Sequence, residues 1–198
     1  MSVFFRTIFI LTCCVATARV PALAQSDESV RSFVERLNEA SLTLSASSSE
    51  WNARQKCQRL LAWAFDVQTM ARSTLGEVWN KATVTQRNEF LKVFEEAVVT
   101  AYVRRVEANR GMTLAFVGTR PQSDGHQFAA THMIMPGKAE QIWIWRLRPV
   151  GGSWRVVDAL TNGRSLLQAE RQEYNRVLET SHGDIGAVIA FIRSRENR

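Results

Sequence analysis

The sequence predicts an α+β fold, in which a four-stranded, twisted antiparallel meander sheet has helices packed on one face and encloses an apolar cavity with them. Four runs of alternating polar and apolar residues lie between Met112 and Leu160, separated by turn signals at Asp124-Gly125, Pro136-Gly137 and Gly151-Gly152. Ahead of this block, apolar residues recur at spacings of three and four, which is typical of amphipathic helices. The sheet block is also unusually rich in large apolar side chains, which predicts that one face of the sheet packs against other apolar groups.

The N-terminus has the pattern of a secretory signal peptide. Arg6 precedes an uncharged run over residues 7–18, and Pro21-Ala22-Leu23-Ala24 offers a small-x-small cleavage site. The run is shorter than the roughly 20 residues that cross a bilayer. We therefore expect cleavage after Ala24, with residues 1–24 as signal peptide and residues 25–198 as one α+β domain.

Composition excludes some classes of function. The 25 Lys and Arg residues exceed the 19 Asp and Glu residues, but the basic residues are dispersed among acids. Without a basic run or stripe, binding to nucleic acid is not expected. Cys57 is the only cysteine after residue 24. No internal disulfide can then form, so packing must hold the fold together.

The first three helices are predicted over residues 29–46, 51–65 and 67–75. Each has an apolar stripe, and the serine-rich stretch over residues 45–49 separates the first two. Asp66 is placed to cap the third helix, and Gly76 to close it in a left-handed conformation.

A long helix follows, beginning at a capping box of Thr83 and Gln86 and ending at Gly111. About 25 residues give it a length of about 40 Å. Its apolar stripe comprises Phe90, Leu91, Phe94, Ala97, Val98, Ala101, Tyr102 and Val106. After the meander and a turn at Asn162-Gly163, two more helices are expected, capped by Ser165 and Asp184.

One sheet face is predicted to look toward the helices. A hairpin on Gly151-Gly152 pairs Leu147 with Val156, Trp145 with Asp158 and Trp143 with Leu160 on that face. If Pro136-Gly137 is a two-residue turn, the face gains alternate residues of the second strand, namely Phe128, Ala130, His132 and Ile134. The orientation of the first strand stays open, because a one-residue slip at its turn reverses the face. Such an aromatic face is either ordinary core or one wall of a ligand site.

Few residues suggest catalysis. The three histidines lack metal-ligand spacing, and neither a Gly-x-Ser-x-Gly elbow nor a phosphate loop occurs. Cys57 lies on an apolar helix stripe, where a packing role is expected. Asp158 is the one charged residue on the inner face, and we expect it to pair with an arginine across the fold. Alternatively, it is a general base that works with Tyr102 or His132 in an apolar cavity, where burial would raise its pKa.

Two blocks of residues form a recognisable pattern. The first block comprises Phe65-Asp66, Met70-Ala71-Arg72, Leu75-Gly76, Trp79, Ala82-Thr83, Gln86-Arg87, Phe90 and Tyr102. The second comprises Trp154, Val156, Asp158, Gly163 and Ser165-Leu166. In their order and spacing these blocks resemble the toluene-tolerance, or MlaC, family of periplasmic phospholipid-binding proteins, and the resemblance covers about residues 51–192.

The resemblance implies a soluble periplasmic carrier without catalytic activity that hides lipid acyl chains between sheet and helices. It would act as a monomer and shuttle lipid, with transient membrane contact, between an outer-membrane lipoprotein component and an inner-membrane ABC transporter complex. Where the family usually has Tyr-Arg-x-x-Phe, this chain has Glu170-Arg171-Gln172-Glu173-Tyr174. Arg171 with Glu173 is closer to the hopanoid-associated HpnM branch, so the cargo is a phospholipid or a hopanoid-type lipid.

The site expected on these grounds contains no metal and no cofactor other than the bound lipid. Its predicted lipid-binding residues come from the helical stripes and the inner sheet face. They are Phe65, Leu75, Trp79, Phe94, Val98, Tyr102, Phe116, Phe128, Trp143, Trp145, Leu147, Val156, Leu166 and Leu167.

Overall fold

A computed structural model describes residues 22–196 and has the predicted α+β class, with helices and one antiparallel sheet. The helices are α1 (Ala22–Ser45), α2 (Glu50–Ala64), α3 (Val67–Leu75), α4 (Glu77–Lys81), α5 (Val84–Ala108), α6 (Leu166–Thr180) and α7 (Ile185–Glu196). The strands are β1 (Thr113–Pro121), β2 (Gln127–Ile134), β3 (Gln141–Val150), β4 (Ser153–Thr161) and β5 (Arg164–Ser165). The predicted signal peptide lies outside the described residues, except for Ala22-Leu23-Ala24 at the start of α1. None of these helices is long and apolar enough to cross a membrane.

Local side-chain caps begin several of the helices, as the sequence predicts. Asp66 accepts a hydrogen bond from the backbone N–H of Thr69 over 3.0 Å at the start of α3. Thr83 and Gln86 form the predicted capping box of α5. Gly76 ends α3 with a φ of 56°, a backbone conformation that residues with a Cβ rarely adopt. The short helix α4, directly after this glycine, was not predicted.

The sheet has five strands in the order β1 to β5, so the prediction of four strands is wrong. The additional strand, β5, pairs Ser165 with Leu160 and Arg164 with Thr161 beyond the turn at Asn162-Gly163. Two residues are too few to show a strand period, so nothing in the sequence distinguished β5 from a plain turn.

The β3–β4 register differs from the predicted one because a bulge lies between Arg146 and Leu147. Leu147 faces Val156 as predicted. Beyond the bulge the register pairs Trp145 with Ala159 and Trp143 with Thr161, so the predicted pairs Trp145–Asp158 and Trp143–Leu160 are wrong. One extra residue on β4 accounts for the shift. The inward orientation of Trp143, Trp145 and Leu147 is nevertheless confirmed, since all three are buried.

The second strand faces the opposite way from the prediction. Ala129 pairs with Trp145 and Thr131 pairs with Trp143, which places Ala129, Thr131 and Met133 on the inner face. The residues predicted there lie on the outer face, namely Phe128, Ala130, His132 and Ile134. The error comes from the β2–β3 connection, which spans residues 135–140 and is not a two-residue turn.

The first strand, whose orientation was left open, turns Leu114 and Phe116 inward. Leu114 pairs with Met133 and Phe116 with Thr131. A bulge follows Phe116, and Val117 is 55% exposed.

Two apolar clusters pack the helices, one of them against the inner sheet face and the other among the helices alone. The larger lies between α1, α2, α5 and the inner face, and includes Phe33, Leu60 and Leu147. The smaller joins α3, α5, α6 and α7 around Phe90 and Tyr174. Helix α5 contributes to both clusters, and the space between them is where the candidate site lies.

Candidate functional site

A cavity of about 430 Å³ lies between the inner sheet face and helices α3, α5, α6 and α7. Its walls are mostly apolar, and α5 supplies the largest share of them. The volume falls within the range of about 300–1,000 Å³ that is usual for sites holding small organic ligands.

Aromatic side chains from helix and sheet form much of this wall. Phe65 and Tyr102 meet edge to face, with ring centroids 5.9 Å apart. Phe65 is held in place because the following amide, of Asp66, donates to the carbonyl of Val156 over 2.9 Å. This bond ties the α2–α3 junction to the sheet.

The sheet side of the wall is a tilted pair of indoles. The rings of Trp143 and Trp145 lie 5.7 Å apart at an angle of 30°. The indole N–H of Trp145 donates to the hydroxyl of Thr131 over 3.0 Å, which fixes that ring. The indole nitrogen of Trp143 is buried and has no hydrogen-bond partner among the described residues.

The hydroxyl of Tyr102 is satisfied behind the cavity wall. It lies 2.8 Å from the hydroxyl of Ser41, which itself donates to the carbonyl of Leu37 over 2.7 Å. Since the proton of Ser41 is used on Leu37, Tyr102 must be the donor of the pair. Burial raises the pKa of Tyr102, so its phenol stays neutral.

Charged groups gather where α5, α6 and α7 border the cavity. Arg195 makes two hydrogen bonds to the carboxylate of Glu170, at 3.0 and 3.2 Å. Arg104 donates to the backbone carbonyl of Glu196 over 3.3 Å. Arg105 lies over the ring of Trp143, with 4.8 Å from its guanidinium carbon to the ring centroid.

Asp158 lines the cavity but is engaged in local hydrogen bonds. Its carboxylate accepts from the hydroxyl of Ser165 over 2.6 Å and from the backbone N–H groups of Ala159 and Leu167 over 2.8 and 3.2 Å. The expectation of a partner arginine across the fold is therefore wrong. The carboxylate instead holds the first turn of α6 against β4.

The acid–base pair proposed between Asp158 and His132 is not formed. His132 is on the outer sheet face, where its Nδ1 atom lies 3.2 Å from the carboxylate of Glu140. Tyr102 does line the same cavity as Asp158, but its hydroxyl proton is used on Ser41.

Nine of the fourteen predicted lipid-binding residues line the cavity, and their role in binding stays a prediction. These nine are Phe65, Phe94, Val98, Tyr102, Trp143, Trp145, Val156, Leu166 and Leu167.

The other five predicted residues lie elsewhere. Leu75 and Trp79 pack in the smaller cluster, and Leu147 is fully buried in the larger one. Phe116 packs against the larger cluster under Arg31. Phe128 lies on the outer face beside Arg120.

Sequence reasoning missed the charged border and several small or flexible lining residues, among them Met70, Ala97, Ala101, Met112, Arg104, Arg105, Glu170 and Arg195. One signal for the arginines was present. The α5 stripe containing Phe94, Val98 and Tyr102 reaches Arg105 at the next helical spacing. A charged residue near a helix end is usually solvated, so helical spacing alone does not place Arg105 at a cavity.

The described part of the chain contains neither a cluster of metal-ligating side chains nor an ionised thiol. No three His, Cys, Asp or Glu side chains there are grouped to hold a metal ion. Cys57 is fully buried, with its Sγ atom 3.8 Å from the carbonyl of Val99. Burial raises the pKa of this thiol to about 12, so it is neutral at physiological pH.

Comparison with known proteins matches the sequence to a family model and the structure to a known fold. The family model described as MlaC protein matches residues 27–194. A solved structure of the phospholipid-binding protein from Ralstonia solanacearum, in complex with a phospholipid, superposes with a TM-score of 0.70. The two chains are 18% identical, and the match covers 84% of this chain and 96% of the other, which shows a shared fold. No curated protein matches the sequence.

Proposed function

Because the chain belongs to the MlaC family, we propose that it is a periplasmic lipid carrier that shields the chains of a phospholipid, or of a hopanoid-type lipid, from water. The observation that carries the proposal is the 430 Å³ cavity, with aromatic walls, between sheet and helices. The Ralstonia protein of the same fold was solved with a phospholipid bound, which supports this class of cargo.

The physics of a carrier explains why such walls are needed. Two acyl chains contain about thirty methylene groups, and at about 0.8 kcal/mol each their exposure to water costs on the order of 20 kcal/mol. A carrier must therefore cover most of that surface with apolar side chains. Phe94, Val98 and Tyr102 on α5 and Trp143 and Trp145 on the sheet supply two facing surfaces for this purpose.

The same proposal gives the chain a place between two membranes. Export by the predicted signal peptide would bring it to the periplasm. It would there exchange lipid with an outer-membrane lipoprotein component and with an inner-membrane ABC transporter complex, as the family resemblance implies. Much of the gross burial energy is offset by ordering and desolvation on binding, which allows release.

The test is to express the full chain, purify the exported protein and record its native mass spectrum, followed by organic extraction. We expect a lipid-sized mass difference, and uptake of lipid from phospholipid vesicles by delipidated protein. Protein that is lipid-free as isolated and takes up no lipid from vesicles would overturn the proposal.

A matched pair of variants tests whether the cavity is the binding site. Val98→Trp places a large ring into the cavity, whereas Val84→Trp makes the same change on the same helix at a residue that is 70% exposed. Lipid uptake should fall at least about tenfold in the first variant, because the new ring occupies space that the lipid needs, and should stay unchanged in the second. A tenfold loss of affinity corresponds to about 1.4 kcal/mol of binding free energy. Equal uptake by both variants would place the lipid elsewhere.

A further inference from the structure

One wall of the cavity changes from apolar to cationic along a single helix. Phe94, Val98, Tyr102 and Arg105 all line the cavity and follow one another on α5 at spacings of four, four and three, which puts them on one stripe. At 1.5 Å per residue the stripe is about 16 Å long. The wall therefore has an apolar length with a cation at its end, the same polarity as a lipid with an anionic head.

The other cations at the cavity are already engaged. Arg195 is held by both carboxylate oxygens of Glu170, and Arg104 donates to the backbone of Glu196. Within residues 22–196, the guanidinium of Arg105 makes neither an ion pair nor a hydrogen bond in the structure. Among the three arginines that line the cavity, Arg105 is thus the one whose N–H groups are all available to a ligand in the described structure.

Arg105 is held in place by an aromatic ring, which leaves its N–H groups free. Its guanidinium carbon lies 4.8 Å from the centroid of the Trp143 ring. A guanidinium stacked on a ring face still presents its donors in its own plane, and this fork matches the oxygens of a phosphate.

The ring beneath Arg105 is a buried support for the guanidinium. Trp143 is 2% exposed, and its buried indole nitrogen has no partner in the described chain. An indole N–H can only donate. The Trp143 nitrogen has almost no exposed surface, so the guanidinium of Arg105 is the donor that a ligand can reach, and a donor without an acceptor indicates a ligand that brings oxygen atoms.

We infer that Arg105 binds the phosphodiester of the lipid head group, positioned by Trp143; this rests on the carrier function proposed above. More than a third of Arg105 is exposed, so a phosphate there stays partly hydrated at the edge of the cavity while the chains lie along Tyr102, Val98 and Phe94. A neutral lipid without phosphate, including a hopanoid hydrocarbon, would leave the guanidinium of Arg105 without an acceptor on the ligand. Arg105 is therefore the residue by which the cavity distinguishes lipids by their head group.

The test is a competition within one sample. Delipidated protein is offered equal amounts of phosphatidylglycerol and diacylglycerol with the same acyl chains, and native mass spectrometry gives the ratio of the two complexes. This ratio does not depend on how much of a variant is folded. Wild-type protein should prefer phosphatidylglycerol, and Arg105→Gln should lower that preference about tenfold, as expected for the loss of one charge-assisted contact.

Arg110→Gln is the matched control, because Arg110 is an exposed arginine just beyond α5 that does not line the cavity. Arg105→Lys, which keeps the charge but loses the planar fork, should give an intermediate ratio. An unchanged ratio in Arg105→Gln, an equal fall in Arg110→Gln, or no preference in the wild type would each overturn the inference while lipid uptake still stands. Uptake of neither lipid by the wild type would overturn the proposed function itself.

A final arm separates a lipid phosphate from free phosphate. Millimolar inorganic phosphate should neither displace bound phosphatidylglycerol nor change the ratio, because chain burial supplies most of the affinity. Displacement of the lipid by inorganic phosphate in wild type, but not in Arg105→Gln, would reassign the site to free phosphate.

Discussion

The carboxylate of Asp158 accepts a hydrogen bond from the hydroxyl of Ser165 over 2.6 Å, and this contact joins β4 to the first turn of α6. Ser165 in turn caps α6, accepting from the N–H of Gln168 over 2.9 Å. Two backbone N–H groups complete the environment of the carboxylate. The charge that suggested either an arginine partner or a general base is thus stabilised by donors from the strand and helix that it connects.

Asp158→Asn should lower stability and leave lipid uptake intact. The amide of asparagine cannot accept from all three donors and leaves at least one of them unpaired, at a cost of about 1–3 kcal/mol. For a chain of this size 1 kcal/mol corresponds to about 2–4 °C, so the expected fall in Tm is about 2–12 °C, read by thermal circular dichroism. If Asn kept the Tm but abolished a measured chemical activity, the enzyme hypothesis would return.

The helices could be predicted closely because their signals are local. The caps at Asp66, Thr83 and Ser165 each depend on residues within one turn of the helix. The sheet register could not be predicted in the same way, because it depends on turn length and bulges. One extra residue beside Leu147 and a long connection after Ile134 were enough to reverse the face of a strand.

The candidate site was predictable where it follows helical periodicity and not where it depends on tertiary pairing. Phe94, Val98 and Tyr102 belong to one α5 stripe and do line the cavity. Arg105 lies on the same stripe, but only the fold reveals that it faces Trp143 and not a carboxylate. Leu147 shares a strand face with Trp145, yet is covered completely by the helices.

The two partners of the Ser41–Tyr102 hydrogen bond should differ in how much stability is lost when each is removed. In Ser41→Ala the phenol of Tyr102 becomes a buried donor without its acceptor, which costs about 1–3 kcal/mol. In Tyr102→Phe the hydroxyl of Ser41 still donates to Leu37, so the cost of this change should be smaller. Urea midpoints of both variants measure the difference.

The double variant provides the decisive comparison for this pair. Ser41→Ala with Tyr102→Phe should be more stable than Ser41→Ala alone, because the orphaned hydroxyl is gone. A double variant less stable than both single variants would contradict the assignment of Tyr102 as donor.

Stability should fall at alkaline pH, with Cys57 as one cause. Its thiol has a pKa of about 12 in the folded chain and about 8.5 when unfolded, so the unfolded state ionises first as pH rises. The contribution is fully present below about pH 8.5 and decreases above it, by on the order of 2 kcal/mol at pH 10. Burial raises the pKa of Tyr102 and Tyr174 in the same direction, which adds to the loss above about pH 10.

Urea midpoints at pH 7 and pH 10 test this for wild type and Cys57→Ala. The variant is expected to be less stable at pH 7, since it loses buried volume, but to lose less stability between the two pH values. Parallel losses in the two proteins would show that Cys57 is not a source of the alkaline sensitivity.

Gly76→Ala should destabilise the junction of α3 and α4. The residue has a φ of 56°, where an alanine is strained, and an added Cβ would lie 2.8 Å from Nη2 of Arg171 on α6. Arg171 can shift, so backbone strain dominates, at about 1–3 kcal/mol, which corresponds to a fall in Tm of about 2–12 °C. Gly118→Ala is the control, because its φ is not positive and no atom lies within 4 Å of the added Cβ. Its Tm should equal or slightly exceed that of the wild type, since alanine restricts the unfolded chain. Equal Tm values for both variants would mean that the α3–α4 junction tolerates a side chain, and that the glycine is not what ends α3.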